Sequence, residues 1–367
     1  MLVAPSRSRI VDLKPLRYLL VFVVPALMPF AAWLGTRTGA PDLAAAFPLF
    51  FLFVLLPLAD YALGRDTGNP SDEAALARLE SQRAYAAITL LCVPVQLALV
   101  AGSGWWFVHA GYSPAGAAAW LLSQGVVSGI LGINVAHELI HKRGRLEPWA
   151  GGVLLCSVGY FGFKIEHVRG HHVHVSTPQD RSSARFGQSV YPFMWRSLAG
   201  NVTAAWHLEA TRLRQAGLPW LHWRNEMLWW TALWLAFAAG MGAWLGAAGL
   251  VFFLLQGLLA ALSLEIINYI EHYGLERRRL GDRYERTTHH HSWNSSYRLS
   301  NLLLFQLQRH SDHHANARRR YQALLHHDDS PQLPGGYSAM FVLALVPPLW
   351  RRIIDPRLPA RDAVVVD

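Results

Sequence analysis

Cysteine is nearly absent from this chain of 367 residues: Cys92 and Cys156 are the only two. Two thiols cannot build a disulfide framework or a four-thiolate zinc site, and they exclude an iron–sulfur centre of the four-cysteine kind within the chain. Both lie in apolar surroundings, where a free cysteine behaves as a small hydrophobe. Charge is scarce as well. Asp, Glu, Lys and Arg make up 16% of the residues, against about 25% in a soluble domain. Hydrophobic residues reach 52% and mean hydropathy is +0.19, so the composition places the chain in a membrane. Acidic residues are the rarer sign, leaving a formal charge of +9. Such a balance can signal nucleic acid, but here the basic residues lie between long apolar runs and form no compact basic domain to follow a phosphate backbone. No repeat of 20–50 residues and no low-complexity tract is present.

Six segments are long and apolar enough to be read as spans of about 20 residues: 17–35, 43–63, 86–107, 116–137, 228–246 and 249–271. A short Gly/Ala-rich turn near Gly240–Gly249 makes the last two a hairpin. The first is too long in its apolar stretch for a signal peptide, and no cleavage site follows it. Lys and Arg are concentrated in the N-terminal tail (Arg7, Arg9, Lys14, Arg17), in 64–85, and in 142–227 and 272–367, which the positive-inside rule assigns to the cytoplasm with both termini. Trp105 and Trp106 mark the outer interface. Residues 190–227 read as interfacial amphipathic helix, and 338–350 as a docking segment too short to cross. The expected architecture is an all-α integral membrane protein: six transmembrane helices with a cytoplasmic histidine-rich cap, in one domain over 1–367.

Eighteen histidines are present, and nine fall into a pattern. His137 and His141 occur in HELIH, His167, His171 and His172 in EHVRGHH, His310, His313 and His314 in QRHSDHH, and His272 in NYIEHYGL. The first pair is spaced i, i+4 and leaves one helix face. Adjacent histidines of a doublet point about 100° apart, so each doublet can serve two ions or two edges of one. With the spans above, all nine fall on the cytoplasmic side. HELIH alone would suggest a zinc protease with Glu138 as base, but that leaves six histidines idle. Nine imidazoles exceed the capacity of one ion, so two metals are the economical reading. Imidazole suits Zn, Cu, Fe and Ni; a neutral all-histidine shell facing an apolar span favours Fe(II) and O2 activation, whereas carboxylate-bridged di-iron bundles need paired Glu-x-x-His motifs. A metal transporter would spread ionisable groups through the membrane depth, and they are not so spread.

The combination HELIHK, EHVRGHH, NYIEHYGL and LQRHSDHHA resembles the alkane 1-monooxygenase (alkane omega-hydroxylase) family of membrane di-iron enzymes, within the fatty-acid desaturase and hydroxylase group, over roughly residues 10–350. The resemblance implies that all nine histidines ligate two irons, that O2 is co-substrate, and that the terminal methyl of an n-alkane drawn from the lipid is hydroxylated. It also implies rubredoxin as electron donor, fed by a rubredoxin reductase; with two cysteines here, that donor is a separate protein or a domain not in this sequence. Related oxygenases acting on aromatic methyl groups of the xylene type, or on fatty acyl chains, are the enzyme alternatives. The inner membrane is the implied location.

Supporting roles follow from position. Glu138, Glu271 and Asp312, and also Glu166 and Asp180, lie near the clusters and are candidates to hold imidazole N–H groups. Glu265 and Asn268 stand seven and four residues before His272 on its helix face; a carboxylate within a span is a functional candidate, here for second-sphere support or proton delivery. Ile130 and Ile133 stand at the same offsets before His137 and mark a substrate channel, with Phe53, beside Phe50 and Phe51, as its cap. Gly125, Gly129, Gly132 and Ala136 form a small-residue stripe suited to helix contact. Arg277, Arg278, Arg318 and Arg319 are candidates for steering an acidic donor. His289–His291 resembles a tag but is internal; His291 is not expected to ligate, and His174, His207, His222, His326 and His327 are expected to face solvent or headgroups.

Overall fold

The computed structural model describes residues 14–359, so Arg7 and Arg9 of the basic tail and the two chain ends lie outside the described residues. Helix dominates, and the paired strands among the described residues are the two-residue Arg279–Leu280 and Arg283–Tyr284, antiparallel with Arg279 opposite Tyr284. Seven helices position the site: α1 (Lys14–Thr38), α2 (Phe47–Leu63), α3 (Arg83–His109), α4 (Pro114–Ile140), α5 (Leu146–Ser157), α6 (Val190–Gln215) and α7 (Glu226–His272). Of these, α1, α3, α4 and α7 are long and apolar enough to cross a membrane. Polar caps set where two of them begin. Ser113 accepts the Gly116 N–H with Pro114 in the first turn of α4, and Asn225 accepts the Met227 N–H at the start of α7, each satisfying a backbone donor that the helix itself cannot.

Three of the six expected spans take a different form. The second, 43–63, yields only the 17-residue α2, about 25 Å long against a hydrocarbon core of about 30 Å. The fifth and sixth are one helical run of 47 residues, broken at Gly246, whose φ of 69° and ψ of −164° suit a residue without Cβ. The chain folds back there. A Cβ at Gly159 would meet the Trp234 indole at 2.8 Å, and one at Gly257 would meet the Val158 carbonyl at 2.5 Å, so positions twelve before and eleven after Gly246 reach neighbouring residues. The arms 226–245 and 247–272 therefore lie side by side.

The small-residue stripe lets backbones approach. A Cβ on Gly125 would lie 2.4 Å from Leu259 Cβ and one on Gly129 3.5 Å from the Ala260 carbonyl, both on the second arm of α7, while Gly132 faces Gln96 of α3. This is the close packing that membrane helices build from small residues. Along α6, Val190, Phe193, Met194 and Ala205 are buried while Tyr191, Trp195 and Val202 are exposed; Trp220, Trp223 and Trp229 extend the exposed aromatic strip, as at a membrane interface. The apolar segment 338–350 lies within two short helices, Tyr337–Ala344 and Pro347–Ile354, since Pro347 cannot continue a helix. Their Trp350 packs on Tyr269 of α7 and on Tyr273 just after it. The ends of α4 and α7 that carry His137 and His272 thus meet the later loops at one end of the molecule.

Candidate metal centre

Local helix geometry decides which histidines face one another. His137 and His141 sit one α-turn apart, ring centroids 5.3 Å. In EHVRGHH the chain forms a π-turn over His167–His171, which widens the repeat beyond four residues. His167 therefore faces His172, with Nε2 atoms 3.1 Å apart, and His171 turns elsewhere. In His310–Ala315 the helix is ordinary α, and His310 pairs with His314, Nε2 to Nε2 2.9 Å. Each doublet is thereby divided between two groups.

The first group is His137, His141, His167, His172 and His313; the second is His171, His272, His310 and His314, and within each group one donor atom per residue lies within 4.8 Å of all the others. His313 and His172 bring Nε2 atoms to 3.2 Å in the first. In the second, His310 and His272 do so at 3.2 Å and His171 and His314 at 3.3 Å. Two nitrogens bound about 2.0–2.1 Å from one ion stand about 2.9–3.4 Å apart, so both groups have the spacing of a ligand set. The groups adjoin, since the rings of His172 and His314 stack at 4.4 Å. The Nε2 atoms of His137 and His141 are buried without a partner. An unsatisfied buried polar atom costs about 1–3 kcal/mol, and a bound ion would remove that cost. Burial, reinforced by neighbouring imidazoles, pushes His141, His167, His172, His310, His313 and His314 well below the ordinary pKa, which leaves them neutral and able to donate a lone pair. The donor chemistry fits metal ions.

The surroundings of the groups differ. Behind the first, Glu138 pairs with Lys142 at 2.8 Å and accepts the Tyr321 N–H at 3.3 Å; it braces the chain rather than holding an imidazole. Against the second, Asp180 lies 2.9 Å from His171 Nδ1 and Ser292 Oγ 3.4 Å from His272 Nδ1. Burial alone would raise Asp180, but His171 and Ser183 outweigh it and hold the carboxyl below its ordinary value. Glu271 Oε2 lies 3.2 Å from His310 Nε2, and its other oxygen accepts from the Tyr337 hydroxyl at 2.9 Å. Glu265 is fully buried, bonded to Tyr160 and, at 3.0 Å, to Asn268. Asp312 faces away from the rings: Arg319, Asn316, His327 and the Leu325 N–H converge on it.

An apolar cavity runs from this end into the helices. Val126, Gly129, Ile130 and Asn134 of α4 line one side, Ser263, Leu264 and Ile267 of α7 another, with Phe53, Phe341 and Tyr337. Val126 to Asn134 is nine residues, eight rises or about 12 Å of helix. Ile130 and Phe53 line it; Ile133 does not, being fully buried in the core. The cause is a second π-turn, Gly129–Asn134, which shifts the face by a residue and defeats counting by fours. Of the four arginines, Arg277 is engaged by the Glu285 and Val173 carbonyls and Arg319 by Asp312. Arg278 pairs with Glu285 at 3.3 Å. Arg318 lines a basic cleft with Lys142, Arg143, Arg319 and Arg320.

Known proteins bear on this geometry. The family profile described as fatty acid desaturase matches residues 112–344. Alkane 1-monooxygenase 1 of Pseudomonas aeruginosa is 51% identical over 357 residues, covering 97% of this chain and 94% of its own, and alkane 1-monooxygenase 2 of that organism is 48% identical over 357 residues, covering 97% and 95%. The chain belongs to the alkane 1-monooxygenase family. The hydroxylase component of a xylene/toluene monooxygenase of Pseudomonas putida is a more distant relative of this family member, 32% identical over 67% of the chain and 65% of its own length. Tyr337, Tyr160 and the cavity residues Leu304, Leu307 and Phe341 carry no motif that would announce them in sequence. Lys142 did have a signal, four residues after Glu138 in HELIHK, the favoured order for a helical ion pair.

Proposed function

We propose that this protein hydroxylates the terminal methyl of n-alkanes at two irons, one held by His137, His141, His167, His172 and His313 and the other by His171, His272, His310 and His314. The balance is R–CH3 + O2 + 2 e⁻ + 2 H⁺ giving R–CH2OH and H2O. Bound iron supplies the O2 chemistry and oxidising power that no side chain possesses. The observation that carries the reading is the apolar cavity, whose Tyr337 bonds Glu271, which in turn touches His310. An unbranched hydrocarbon lying there presents one end to the four-histidine group.

The chain's own residues have defined parts. The Leu, Ile and Phe lining binds the alkane and excludes water, which strengthens every polar interaction at the inner end. Phe53 and Phe341, rings 4.9 Å apart, close the cavity between α2 and the C-terminal helices and limit chain length. Glu271 holds a proton at Oε2, beside His310, with Tyr337 as its partner; Glu265 and Asn268 support the adjoining helix face. Asp180 fixes the His171 ring, the second-sphere arrangement of metal-bound imidazoles. Electrons come from rubredoxin, reduced by its reductase, docking over the basic cleft where Arg143 and Arg318 are exposed. The oxygenase is a single domain of the inner membrane with both termini cytoplasmic, and its substrate arrives from the lipid.

Aromatic methyl oxidation is the second reading, favoured by the likeness to the xylene/toluene enzyme. The test is metal analysis of the purified protein together with product analysis after supplying octane, xylene and an acyl substrate with rubredoxin and reductase. Two irons per chain and 1-octanol as main product are expected. Iron-free activity, or turnover of xylene alone, would overturn the alkane assignment.

A further inference from the structure

A third cluster of metal-type donors stands apart from the nine-histidine centre. It joins two loops, the TTHHHSWNSS stretch and the turn at 327–329. His289, His327 and Asp329 each present a donor atom within 4.8 Å of the other two. His289 Nε2 lies 3.0 Å from Asp329 Oδ2, and His290 Nε2 is 3.7 Å from the same oxygen. The rings of His289 and His327 stack with centroids 4.4 Å apart and planes 8° from parallel.

We propose that His289, His327 and Asp329, with His290 alongside, bind a divalent transition-metal ion of the zinc type. Three observations support the site. Two imidazoles and a carboxylate are the donor set of open zinc sites, which leave further positions to water. The side chains of His289, His327 and Asp329 are 27%, 25% and 65% exposed, so an ion and its waters have access. His327 is oriented from behind: its Nε2 lies 3.0 Å from Oδ1 of the fully buried Asp312. A carboxylate behind an imidazole is the arrangement that fixes tautomer and ring direction in metal-bound histidines, and a ring that donates Nε2–H carries its lone pair on Nδ1. Asp180 stands to His171 in the same way. Zn²⁺, Co²⁺, Ni²⁺ and Cu²⁺ all suit imidazole–carboxylate donors.

An ion here staples the loop leading into Ser292 to the loop following the last histidine motif. Both border the nine-histidine centre: Ser292 contacts His272, and Asp312 lies within HSDHH. The site thus stiffens the outer wall of the centre without supplying a ligand to it.

The test titrates zinc into the detergent-solubilised protein against a chromogenic chelator, with zinc and iron both counted by metal analysis. The wild type is expected to hold one more equivalent of zinc than the double variant His289→Ala/Asp329→Asn at the same iron content, and zinc should raise Tm in the wild type only. Asp329→Asn alone should weaken zinc binding at least tenfold, and a half-buried histidine elsewhere, His222→Ala, should leave it intact. Equal zinc in wild type and double variant, or zinc uptake matched by iron loss in both, would overturn the site.

Discussion

The five-histidine and four-histidine groups lie ring against ring, yet their surroundings have little in common. The five-histidine group is closed by its own imidazoles, with the Glu138–Lys142 pair behind it and the basic cleft of Arg143 and Arg318 beyond. The four-histidine group has fewer donors but more support: Asp180 and Ser292 on two rings, and Glu271 aimed at a third from the end of the apolar cavity. One group has five donors and lies toward the basic cleft; the other has four and lies toward the apolar cavity. On the function proposed above, electrons would enter by the first group and substrate would meet the second.

Ligand removal tests the contrast most severely. His272→Ala leaves three donors in its group and should lose that iron and lower octane hydroxylation at least a hundredfold. His141→Ala leaves four donors in the other group and should retain more metal; iron per chain and 1-octanol formation, measured together, compare the two. If both variants lost iron equally, donor number would not distinguish the groups. Glu271→Gln comes next. It keeps shape but cannot ionise, and loss of a positioned proton carrier costs typically about 10²–10⁴ in rate; turnover should fall in that range with iron content unchanged, whereas Glu138→Gln should act chiefly on stability. Ile130→Phe narrows the cavity and should shift products toward shorter alkanes with the same metal content, read from a competition of octane and hexadecane; an unchanged profile would remove Ile130 from the substrate path. The smallest effect belongs to the cleft. Arg143→Glu with Arg318→Glu should raise KM for reduced rubredoxin severalfold and flatten its salt dependence, with kcat nearly constant, because rim charges act on encounter. The companion change Arg278→Glu, on the Glu285 hairpin, should do less.

Much of the site was legible in linear order. The nine histidines sit in short motifs, and the i, i+4 spacings of His137 with His141 and His310 with His314 are helical facts that survive in the structure. So is the grouping of Glu265 with Asn268. The misplacements along the helices share one physical cause. Counting by fours assumes 3.6 residues per turn, and two stretches beside the rings are π-helical. There the count put Ile133 on a channel it does not line, and it could not say whether His171 or His172 would pair with His167. Asp312 was expected at the rings and instead receives Arg319 and His327, since the loop after it doubles back. Arg277 and Arg319 were read as surface charge because a sequence does not reveal which carbonyls and carboxylates come to meet them.

By itself the amino-acid sequence determined the apolar helical character, the donor types and the inventory of imidazoles, because hydropathy and side-chain chemistry are properties of local stretches. Tertiary structure alone decided the division into five and four, the carboxylates assigned to particular rings and the course of the cavity. Those depend on π-turns and on contacts between residues more than a hundred positions apart, such as His171 with His314, and no local pattern encodes the distance between them.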